Sequence, residues 1–553
     1  MLSLLQKNHR LVFYSFWLLL ALTQAASTEL IADEAYYWVY SKFLAWGYFD
    51  HPPMIALLIK TGYSLFHNEF GVRLICALLS VFTLIITESL LDKKNPFLFY
   101  TIALGIGTLQ IAGFLAVPDT PLLFFTAVFF YAYRNFTQKN NWRSAIWLAV
   151  SIALLFYTKY HGVLIVLFVF LSNLKLLLRW QTWLAAFFVL LLFAPHLWWQ
   201  WEHDWVSFRY HLFESNVSAY KFSYTTEYIL GQLLLTGPLT GLILLPAAFL
   251  YRTKNETEKA LKFTLVGLLV FFLVSSFRGK VEPNWTMPLL IPLLILSHQF
   301  LLTKTSWIKP LRIISFISLL LIMAGRIYLV VDIGPENSVK RRFQHHKEWA
   351  MAITEITGDK PVVFYNSYQW ASLFWFYSGI SSHSLNAYWE RRNNFNFWPT
   401  GDNLTGKPVY LADVFNHTGV IDSVNTKKGR FLLIADSSYA ALERINFFPE
   451  KIIANNGVLR ADIKPGISDL YLRFLKSNPG IETQLVLGIF KGKEIIKEIT
   501  TGLTVYQLTD LKTFSLSLNI ADIIPGKYDC RLGLKVKDYL VTHNSKNFGL
   551  VIP

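Results

Sequence analysis

Long apolar runs are the feature of this sequence that most constrains its fold. They recur through residues 1–331 and are separated by short polar segments. A run of about 17–25 apolar residues is long enough to cross the hydrocarbon core of a bilayer as a helix. Because a helix satisfies its backbone hydrogen bonds within itself, the pattern predicts a polytopic α-helical membrane domain over residues 1–331.

Eleven of these runs are candidates for membrane helices. The first follows Lys7 and Arg10, and no convincing cleavage site with small residues follows it. We therefore interpret it as a retained anchor and not as a signal peptide. The candidates are residues 11–26, 71–91, 97–116, 120–133, 144–158, 162–178, 182–197, 229–250, 260–276, 286–303 and 311–331.

The composition agrees with a chain that is largely embedded in lipid. Hydrophobic residues make up 53% and charged residues only 16%, whereas a soluble globular chain carries about 25% charged residues. This excludes a purely cytosolic enzyme and a disordered protein. The two cysteines, Cys76 and Cys530, lie far apart, which excludes a disulfide-rich scaffold and a zinc–thiolate site.

The distribution of charge predicts the orientation. With the N-terminus in the cytoplasm, the short loops on that side are rich in lysine and arginine, whereas the opposite loops hold more acidic residues. Positively charged loops stay in the cytoplasm, so we predict a multi-pass protein of the bacterial inner membrane. An odd number of crossings then places the C-terminal region in the periplasm. The loops account for most of the net charge of +15, so no nucleic-acid partner is needed.

The C-terminal region has a normal soluble composition and shows two patterns. In residues 332–460, short apolar strands alternate with a helix near 369–377, which predicts a small α/β domain. In residues 461–553, repeated short strands with turn signals predict a β-sandwich of immunoglobulin-like type. The predicted strands are Val362–Tyr365, Val409–Ala412 and Phe431–Ala435 in the first domain, and Asp469–Leu475, Thr483–Phe490, Phe514–Asn519 and Tyr528–Val536 in the second.

Two acidic motifs lie in the first predicted outer loop. Asp33 and Glu34 follow the first membrane segment and precede the aromatic Tyr37. Asp33 either caps a short helix or acts as a general base, because aromatic neighbours and a second carboxylate strengthen its hold on a proton. Asp50 and His51 precede two prolines; that motif is either a rigid turn or a place where a metal ion or a phosphate binds.

Two further ionisable residues lie at helix ends on the same predicted side. Asp119 opens the fourth membrane segment between Pro118 and Pro121, where it either caps the helix or belongs to a site. Lys159 lies between two helices with almost no loop, where it either extends its amine toward the headgroups or contacts an anion. Because ionisable residues are costly at the membrane, both are candidates for function.

Two later outer segments add cations and hydrogen-bond donors. A solvated loop would explain each residue of the first segment singly. In the second, two cations on either side of a glycine suit a phosphate oxygen. Together with Asp50, His211 is a candidate metal ligand. The candidates are Arg209, His211 and Lys221 in the loop over 198–228, and Arg278, Lys280 and Asn284 in the hairpin near 277–285.

Acids and cations thus collect on one predicted face of the membrane. A site with both a base and groups that neutralise a leaving phosphate suits sugar transfer from a polyprenyl phosphate. The base takes the proton of an acceptor hydroxyl, and lysine, arginine or a divalent metal ion stabilises the phosphate as it leaves. A lipid-linked donor also explains why such an enzyme is embedded in the bilayer.

The order of these motifs resembles the GT-C superfamily of integral membrane glycosyltransferases. An acidic pair follows the first helix, an acid–base–Pro–Pro motif follows in the first outer loop, and an aspartate opens the fourth helix. A Thr-Lys-x-x-Gly turn and a Gly-Lys hairpin before a proline-rich helix come later. The sequence is most similar to the bacterial relatives of the protein O-mannosyltransferases and of the aminoarabinose transferase that acts on lipid A. The resemblance covers residues 1–331.

The resemblance implies roles for several residues. Asp33 matches the catalytic base and Asp119 a second essential acid. Asp50 and His51 match a Glu-Lys pair that helps to hold a metal ion and touches the donor phosphate, and Lys280 matches the lysine of the hairpin. The other residues that we expect to bind substrate are Glu34, Tyr37, Lys159, Arg209, Lys221, Arg278 and Asn284.

The chain departs from the lipid A branch at two positions, because Tyr36 stands where an arginine is expected and His51 where a lysine is expected. The leading hypothesis is a glycosyltransferase that moves a hexose or pentose from a polyprenyl-phosphate donor to a cell-envelope lipid or glycan at the periplasmic face. One alternative is a protein O-glycosyltransferase. A second is a transporter or lipid flippase, and a third is a scaffold that presents a periplasmic domain.

Overall fold

The computed structural model describes residues 7–214, 219–412, 422–492, 494–509 and 511–552. The chain divides into two compact units, Met1–Gln344 and His345–Pro553. The first unit is helical over its described residues, whereas the second combines helices with β-sheets. The change from helical to sheet-rich structure near residue 344 agrees with the change of composition after the last predicted membrane segment.

Helices of very different length build the first unit. They are α1 (His9–Ser27), α2 (Ala32–Lys42), α3 (Met54–Tyr63), α4 (Glu69–Ser89), α5 (Pro96–Gly105), α6 (Gly107–Ala112), α7 (Asp119–Lys139), α8 (Trp142–Thr158), α9 (Gly162–Ser172), α10 (Trp180–Glu202), α11 (Val206–Arg209), α12 (Phe222–Leu235), α13 (Gly241–Leu250), α14 (Glu256–Ser275), α15 (Leu290–Thr303), α16 (Ile308–Val330) and α17 (Ser338–Phe343). Tighter 3₁₀ turns cover Leu174–Leu178, Pro283–Leu289 and Thr305–Trp307, and a π turn covers Tyr210–Glu214.

Five helical stretches of the described residues are long and apolar enough to cross a membrane, as judged by length and composition. Shorter apolar helices, among them α5, α8 and α13, lie between them. Each of the eleven predicted segments overlaps a helix, but eleven crossings and their orientation stay predictions. The five stretches are His9–Ser27, Glu69–Ser89, Trp180–Glu202, Pro283–Thr303 and Thr305–Val330.

The predicted membrane segments 97–116 and 229–250 are both interrupted, and their interruptions contact each other. The first lies at Ile106, whose backbone leaves the helical region between α5 and α6. The second lies between α12 and α13 at Gly237, whose φ of +122° is one that favours glycine. The Thr240 hydroxyl donates to the carbonyl of Gly105 at 2.9 Å. The Thr240 side chain at the second interruption therefore satisfies the Gly105 carbonyl oxygen at the first. Backbone polar groups in a membrane interior need such partners.

A buried ion pair fastens the beginning of α2 to its neighbours. The Arg73 guanidinium of α4 donates to the two carboxylate oxygens of Glu34 at 2.7 and 2.6 Å. It also donates to the carbonyl oxygens of Ala25 and Thr28 at the end of α1, at 3.2 and 2.7 Å. Both charged side chains are fully buried. The position of α2 is thereby set by α1 and α4 together.

The second unit contains three sheets and several helices. The helices are α18 (His346–Thr357), α19 (Tyr368–Ser378), α20 (Asp469–Ser477) and α21 (Val505–Leu508), with 3₁₀ turns at Asn394–Asn396 and Asp402–Leu404. The strands are β1 (Val362–Tyr365), β2 (Ser382–Leu385), β3 (Val409–Ala412), β4 (Asp422–Thr426), β5 (Gly429–Asp436), β6 (Asn446–Asn455), β7 (Val458–Gly466), β8 (Thr483–Lys491), β9 (Glu494–Thr500), β10 (Phe514–Asn519), β11 (Gly526–Val536) and β12 (Phe548–Ile552).

The strand order separates an α/β sheet from two antiparallel sheets. The first sheet has the order β2-β1-β3-β5-β4, in which β1 is parallel to β2 and β3. The others have the orders β10-β7-β6 and β12-β11-β8-β9 and are antiparallel. Leu411, Ile463 and Leu534, one from each sheet, belong to the same buried core. An α/β region is thus followed by antiparallel sheets, and the immunoglobulin-like topology stays a prediction.

Two expectations for the second unit need correction. The strand predicted over Asp469–Leu475 is wrong, since those residues form helix α20. Tyr471 and Leu475, four residues apart, are buried on one side of that helix, so a helical period and not an alternating one governs the segment. The domain boundary predicted between 460 and 461 lies inside β7, which pairs with both β6 and β10. The structure therefore places both predicted domains in one unit.

Candidate active site

Polar residues from well-separated parts of the first unit line a cavity of about 1060 Å³. Much of the remaining wall is apolar and includes Ile111, Leu164, Leu235, Phe272 and Trp285. The predicted site residues that line the cavity are Asp33, Tyr37, His51, Asp119, Lys159, His211, Arg278 and Asn284. The fold therefore brings most of the predicted outer-face residues to a common space.

Asp119 and Lys159 form an ion pair on the cavity wall. Asp119 is the first residue of α7, and Lys159 follows the last residue of α8. The Lys159 ammonium lies 2.8 Å from Asp119 Oδ1, and Asn284 donates to Oδ2 at 3.0 Å. Both charged residues are buried, so Lys159 does not extend to the headgroups. The Asp119 carboxylate binds side chains of two other segments instead of capping its own helix.

Asp33 and Glu34 are neighbours in very different surroundings. Glu34 accepts hydrogen bonds from the backbone N–H of Ile31 at 3.1 Å and of Ala116 at 2.8 Å. It therefore caps α2 and is fully buried away from the cavity. The Asp33 side chain is 40% exposed and borders the cavity. The capping role that the sequence allowed for Asp33 belongs to Glu34, and Asp33 can be reached from the cavity.

Asp50 is a buried acid beside the cavity and not part of its lining. The hydroxyls of Tyr36 and Tyr40 donate to its Oδ2 at 3.1 and 3.3 Å. Tyr36 stands where the resemblance implies an arginine, and here it supplies a neutral donor to Asp50. Nε2 of His211 lies 2.8 Å from the Asp50 carbonyl oxygen. This contact ties the π turn after α11 to the segment between α2 and α3.

Asp50 and His211 do not fit the predicted metal site. A divalent cation needs several ligand atoms that converge on one point. Here His211 directs Nε2 to a backbone oxygen, while the Asp50 carboxylate faces two tyrosine hydroxyls. Over the described part of the chain, no three His, Cys, Asp or Glu side chains converge around these two residues. Lys159 and Arg278 supply positive charge to the lining.

Arg278, which was predicted to bind substrate, lies with its guanidinium accessible from the cavity. It lines the cavity, and within the described ranges its guanidinium has no hydrogen-bond or ion-pair partner. Lys280 lies outside the lining and pairs with Glu282 at 3.6 Å. Arg209 and Lys221 are exposed and also lie outside the lining. Of these four cations, which were predicted to bind substrate, only Arg278 lines the cavity.

A hydrogen-bond network that the sequence analysis missed holds Tyr160, another residue of the lining. The Tyr160 hydroxyl accepts from Gln200 Nε2 at 3.0 Å and lies 3.3 Å from His196 Nε2. His196 Nδ1 contacts the carbonyl oxygen of Trp46 at 2.7 Å, and Gln200 donates to Ser207 Oγ at 2.7 Å. The sequence feature that could have predicted this network is His196, because a polar residue inside an apolar run needs a partner.

Arg342 is a second lining residue outside the predicted set. It lies on α17, beyond the last predicted membrane segment, and its Nη2 lies 3.6 Å from Asp33 Oδ2. No local sequence pattern predicts this contact, because Asp33 and Arg342 lie near the beginning and the end of the first unit's sequence. Asp33 and Arg342 therefore meet only through the tertiary fold.

The lining offers three chemical functions in one space. Asp33 can accept a proton, since a carboxylate within reach of a substrate hydroxyl serves as a general base. Arg278 and Lys159 can stabilise negative charge on phosphate oxygens. The apolar wall can accommodate hydrocarbon. A reaction between a hydroxyl and a lipid phosphate would use all three functions.

Parts of the chain match a family model and two known proteins. Residues 50–199 match a family model described as dolichyl-phosphate-mannose-protein mannosyltransferase. The chain is 26% identical over 324 residues to the lipid A galacturonosyltransferase RgtD of Rhizobium johnstonii, a match that covers 54% of this chain and 66% of that protein. It is 34% identical over 108 residues to an uncharacterized protein of Aquifex aeolicus, covering 18% and 21%. The chain thus spans 66% or less of these relatives' lengths.

Crystal structures of ArnT from Cupriavidus metallidurans share the fold. The apo form has a TM-score of 0.60 at 12% identity, covering 78% of this chain and 98% of that one. The form bound to undecaprenyl phosphate has a TM-score of 0.52 at 12% identity, covering 77% and 97%. This coverage extends past residue 344, so the likeness reaches into the second unit. The resemblance to GT-C glycosyltransferases is confirmed, and the fold is ArnT-like.

Proposed function

We propose that the protein is a membrane glycosyltransferase that moves a sugar from a polyprenyl-phosphate donor to a cell-envelope lipid or glycan, with Asp33 as the general base. The observation that carries the proposal is the cavity in which Asp33 shares a lining with Asp119, Lys159 and Arg278. The mannosyltransferase family match and the likeness to RgtD support sugar transfer.

The proposed step moves one proton and exchanges one bond. Asp33 takes the proton of the acceptor hydroxyl as that oxygen bonds to the anomeric carbon of the sugar. The bond between this carbon and the phosphate oxygen breaks, and the polyprenyl phosphate leaves with the electron pair. Arg278 and Lys159 stabilise the added charge on the phosphate. Asp119 holds Lys159 at 2.8 Å and thereby keeps its ammonium at the cavity.

The donor is proposed to be a polyprenyl-phosphate sugar such as one built on undecaprenyl phosphate. Apolar residues such as Ile111, Leu235 and Phe272 line the cavity beside the charged groups, and such a surface suits an isoprenoid chain. One ArnT structure of the same fold is bound to undecaprenyl phosphate. The distribution of charged loops supports a cavity that opens to the periplasm.

The acceptor is proposed to be a lipid of the envelope, with lipid A as the first candidate. RgtD carries lipid A in its name, and the match to it covers 54% of this chain. The family description at residues 50–199 instead names a protein acceptor, so O-glycosylation of a protein is the second candidate. The two candidates share the donor and the cavity and differ only in the product.

Donor consumption by the purified full-length protein in nanodiscs tests this proposal. The donors are undecaprenyl-phosphate galacturonic acid, aminoarabinose and hexoses, and the acceptors are lipid A and an envelope protein extract. Mass spectrometry should detect a glycosylated lipid with the wild type and none with Asp33→Asn, because the amide cannot take the proton. The exposed Asp359→Asn is the matched control and should retain wild-type activity.

Other outcomes distinguish the alternatives. A glycosylated protein in place of a lipid would select the second acceptor. No consumption of any donor by folded wild-type protein would reject the transferase. Translocation of a lipid or solute at equal rates by wild type and Asp33→Asn would then favour a transporter.

A further inference from the structure

Short helix α17 is held firmly at the end of the membrane unit. The Lys340 ammonium is buried and contacts Asp332 Oδ1 at 2.5 Å and the Gly334 carbonyl oxygen at 2.8 Å. Gln344 donates to the Tyr328 carbonyl oxygen at 3.0 Å. These contacts satisfy backbone acceptors where α16 ends and connect them to α17. The helix is therefore anchored through its third residue and through the residue that follows it.

The same helix packs beside the start of α2. Phe343 is partly buried against a core cluster that includes Ile31, Ala77 and Phe114. Ile31 is the residue before the first residue of α2, so it lies two positions before Asp33. Packing of this kind sets the distance between two elements. Arg342, which precedes Phe343, is thereby presented toward the acidic end of α2.

Asp33 and Arg342 form an exposed ion pair at the edge of the cavity. Asp33 Oδ2 and Arg342 Nη2 are 3.6 Å apart, with 40% and 62% of the side chains exposed. The adjacent pair, Glu34 with Arg73, is closer and fully buried. An exposed pair contributes little to folding stability. A contact of this kind also restricts the orientations that the two side chains can take, including that of the Asp33 carboxylate.

Two other cations near these acids pair with different carboxylates. Arg73 is bound to Glu34 and to backbone carbonyls, and Lys159 is bound to Asp119. The guanidinium of Arg342 forms an ion pair with Asp33. A guanidinium can contact a carboxylate through one nitrogen and keep its remaining N–H groups for another acceptor.

We propose that Arg342 is a positioning residue for the reaction, which holds the Asp33 carboxylate toward the acceptor hydroxyl. The inference rests on the proposed function, in which Asp33 is the base. A general base must lie within hydrogen-bond reach of the proton that it takes, and a misplacement of about 1 Å can lower a rate by about 100-fold. The membrane domain thus depends on a segment beyond its last membrane helix for a complete site.

Steady-state kinetics of Arg342→Ala and Arg342→Lys test the positioning role. The donor is the undecaprenyl-phosphate sugar that the wild type consumes. We expect alanine to lower kcat by about 10- to 100-fold with the donor KM changed less than about twofold. Lysine keeps the charge and should recover most of the loss. Lys347→Ala removes an exposed cation that lies close to Arg342 in the sequence. This control should have the kcat and donor KM of the wild type.

Three kinetic outcomes would overturn the proposal. A raised donor KM with unchanged kcat would make Arg342 a donor-binding residue. Unchanged kinetics would leave the ion pair without a role in turnover. Equal losses in the alanine and lysine variants, with unfolding midpoints like that of the wild type, would contradict positioning through charge.

Carbodiimide labelling of the Asp33 carboxyl group, located by peptide mass spectrometry, gives a second readout that needs no turnover. Loss of the guanidinium should increase the labelling rate several-fold in Arg342→Ala, while Lys347→Ala labels like the wild type. An unchanged rate in Arg342→Ala would show that the two side chains do not interact in solution. A wild type that labels as expected but consumes no donor would reject the proposed transferase while retaining the ion pair.

Discussion

At the scale of single residues, the structure assigns different roles to chemically similar neighbours. Glu34 is saturated by Arg73 and by two backbone N–H groups, whereas Asp33, one position earlier, borders the cavity. On a helix, consecutive residues point about 100° apart, so one faces the interior and the other the cavity. Asp119 and Lys159 differ from both, because they are buried and also line the cavity.

The buried pair of Asp119 and Lys159 yields a prediction that separates stability from activity. Lys159→Met should destabilise the protein by about 3–5 kcal/mol, because it leaves a buried carboxylate without its cation. The double variant Asp119→Asn with Lys159→Met should regain most of that loss, since the charge is removed from both sides. Thermal unfolding in detergent measures the stability of both variants, and donor consumption measures their activity.

Activity should not follow stability in this pair. The double variant should stay inactive, because no ammonium remains to stabilise the phosphate. A Lys159→Met protein as stable as the wild type would contradict the burial of the pair, and a fully active double variant would contradict the role of Lys159.

At the scale of elements, the interrupted helices matter most for where the site forms. The breaks at Ile106 and Gly237 contact each other through Thr240 and Gly105. After the first break the chain continues as α6 and then reaches Asp119, which opens α7. A straight helix through this segment would place Asp119 elsewhere. The break is thus part of what positions the buried ion pair.

Gly237 provides the prediction at this scale. Gly237→Ala should lower the free energy of unfolding by about 1–3 kcal/mol, because alanine is strained at φ of +122°. The added methyl group would also meet the Thr240 side chain and the Gly105 carbonyl. Gly325→Ala on α16 is the matched control, since nothing lies within 4 Å of the added methyl group. Gly325→Ala should be stabilised by about 0.4–1 kcal/mol. Equal unfolding midpoints for the two variants would contradict backbone strain at residue 237.

At the scale of the whole molecule, each unit has its own hydrophobic core. In the second unit a polar cluster connects two sheets, because Asp436 ends β5 and Lys537 follows β11. Lys537 contacts both carboxylate oxygens of Asp436 at 3.0 Å, and the Tyr539 hydroxyl also donates to Asp436. Burial alone would raise the pKa of Asp436, but hydrogen bonds from Tyr539, the Ser438 backbone and Lys537 lower that pKa below its usual value.

The direction of this shift predicts how acid affects the second unit. Since the folded-state pKa of Asp436 lies below the unfolded-state value of about 3.9, its stabilisation is complete above that value. It is lost as the pH falls through the folded-state pKa. Hydrogen exchange of the β5 amides in the full-length protein should therefore show constant protection near neutral pH and weaker protection below about pH 4.

Two variants check that Asp436 causes this acid sensitivity. Asp436→Asn should have weaker β5 protection at neutral pH and a smaller loss in acid. Asp522→Asn removes an exposed acid that pairs with Lys497 at 2.5 Å, and it should leave β5 unchanged. An identical acid response in wild type and Asp436→Asn would assign the effect to other groups.

The sequence by itself determined the features that depend on short-range pattern. Apolar runs located the helices of the membrane domain, and strands such as β1 and β8 followed from short apolar stretches with turn signals. Asp33, Asp119 and Lys159 were predicted because ionisable residues at membrane helix ends are costly and need a reason to be there. These signals lie within a few residues of each side chain, so they can be read along the chain.

Only the tertiary structure decided which of those residues share the cavity. It separated Asp33 from Glu34, directed Asp50 to tyrosine hydroxyls, left Lys280 outside the lining, and brought Arg342 to Asp33. It also made α20 a helix where a strand was expected. The physical reason is that pairing and burial depend on residues far apart in sequence, and on helix rotation and chain breaks. Local patterns do not encode those quantities.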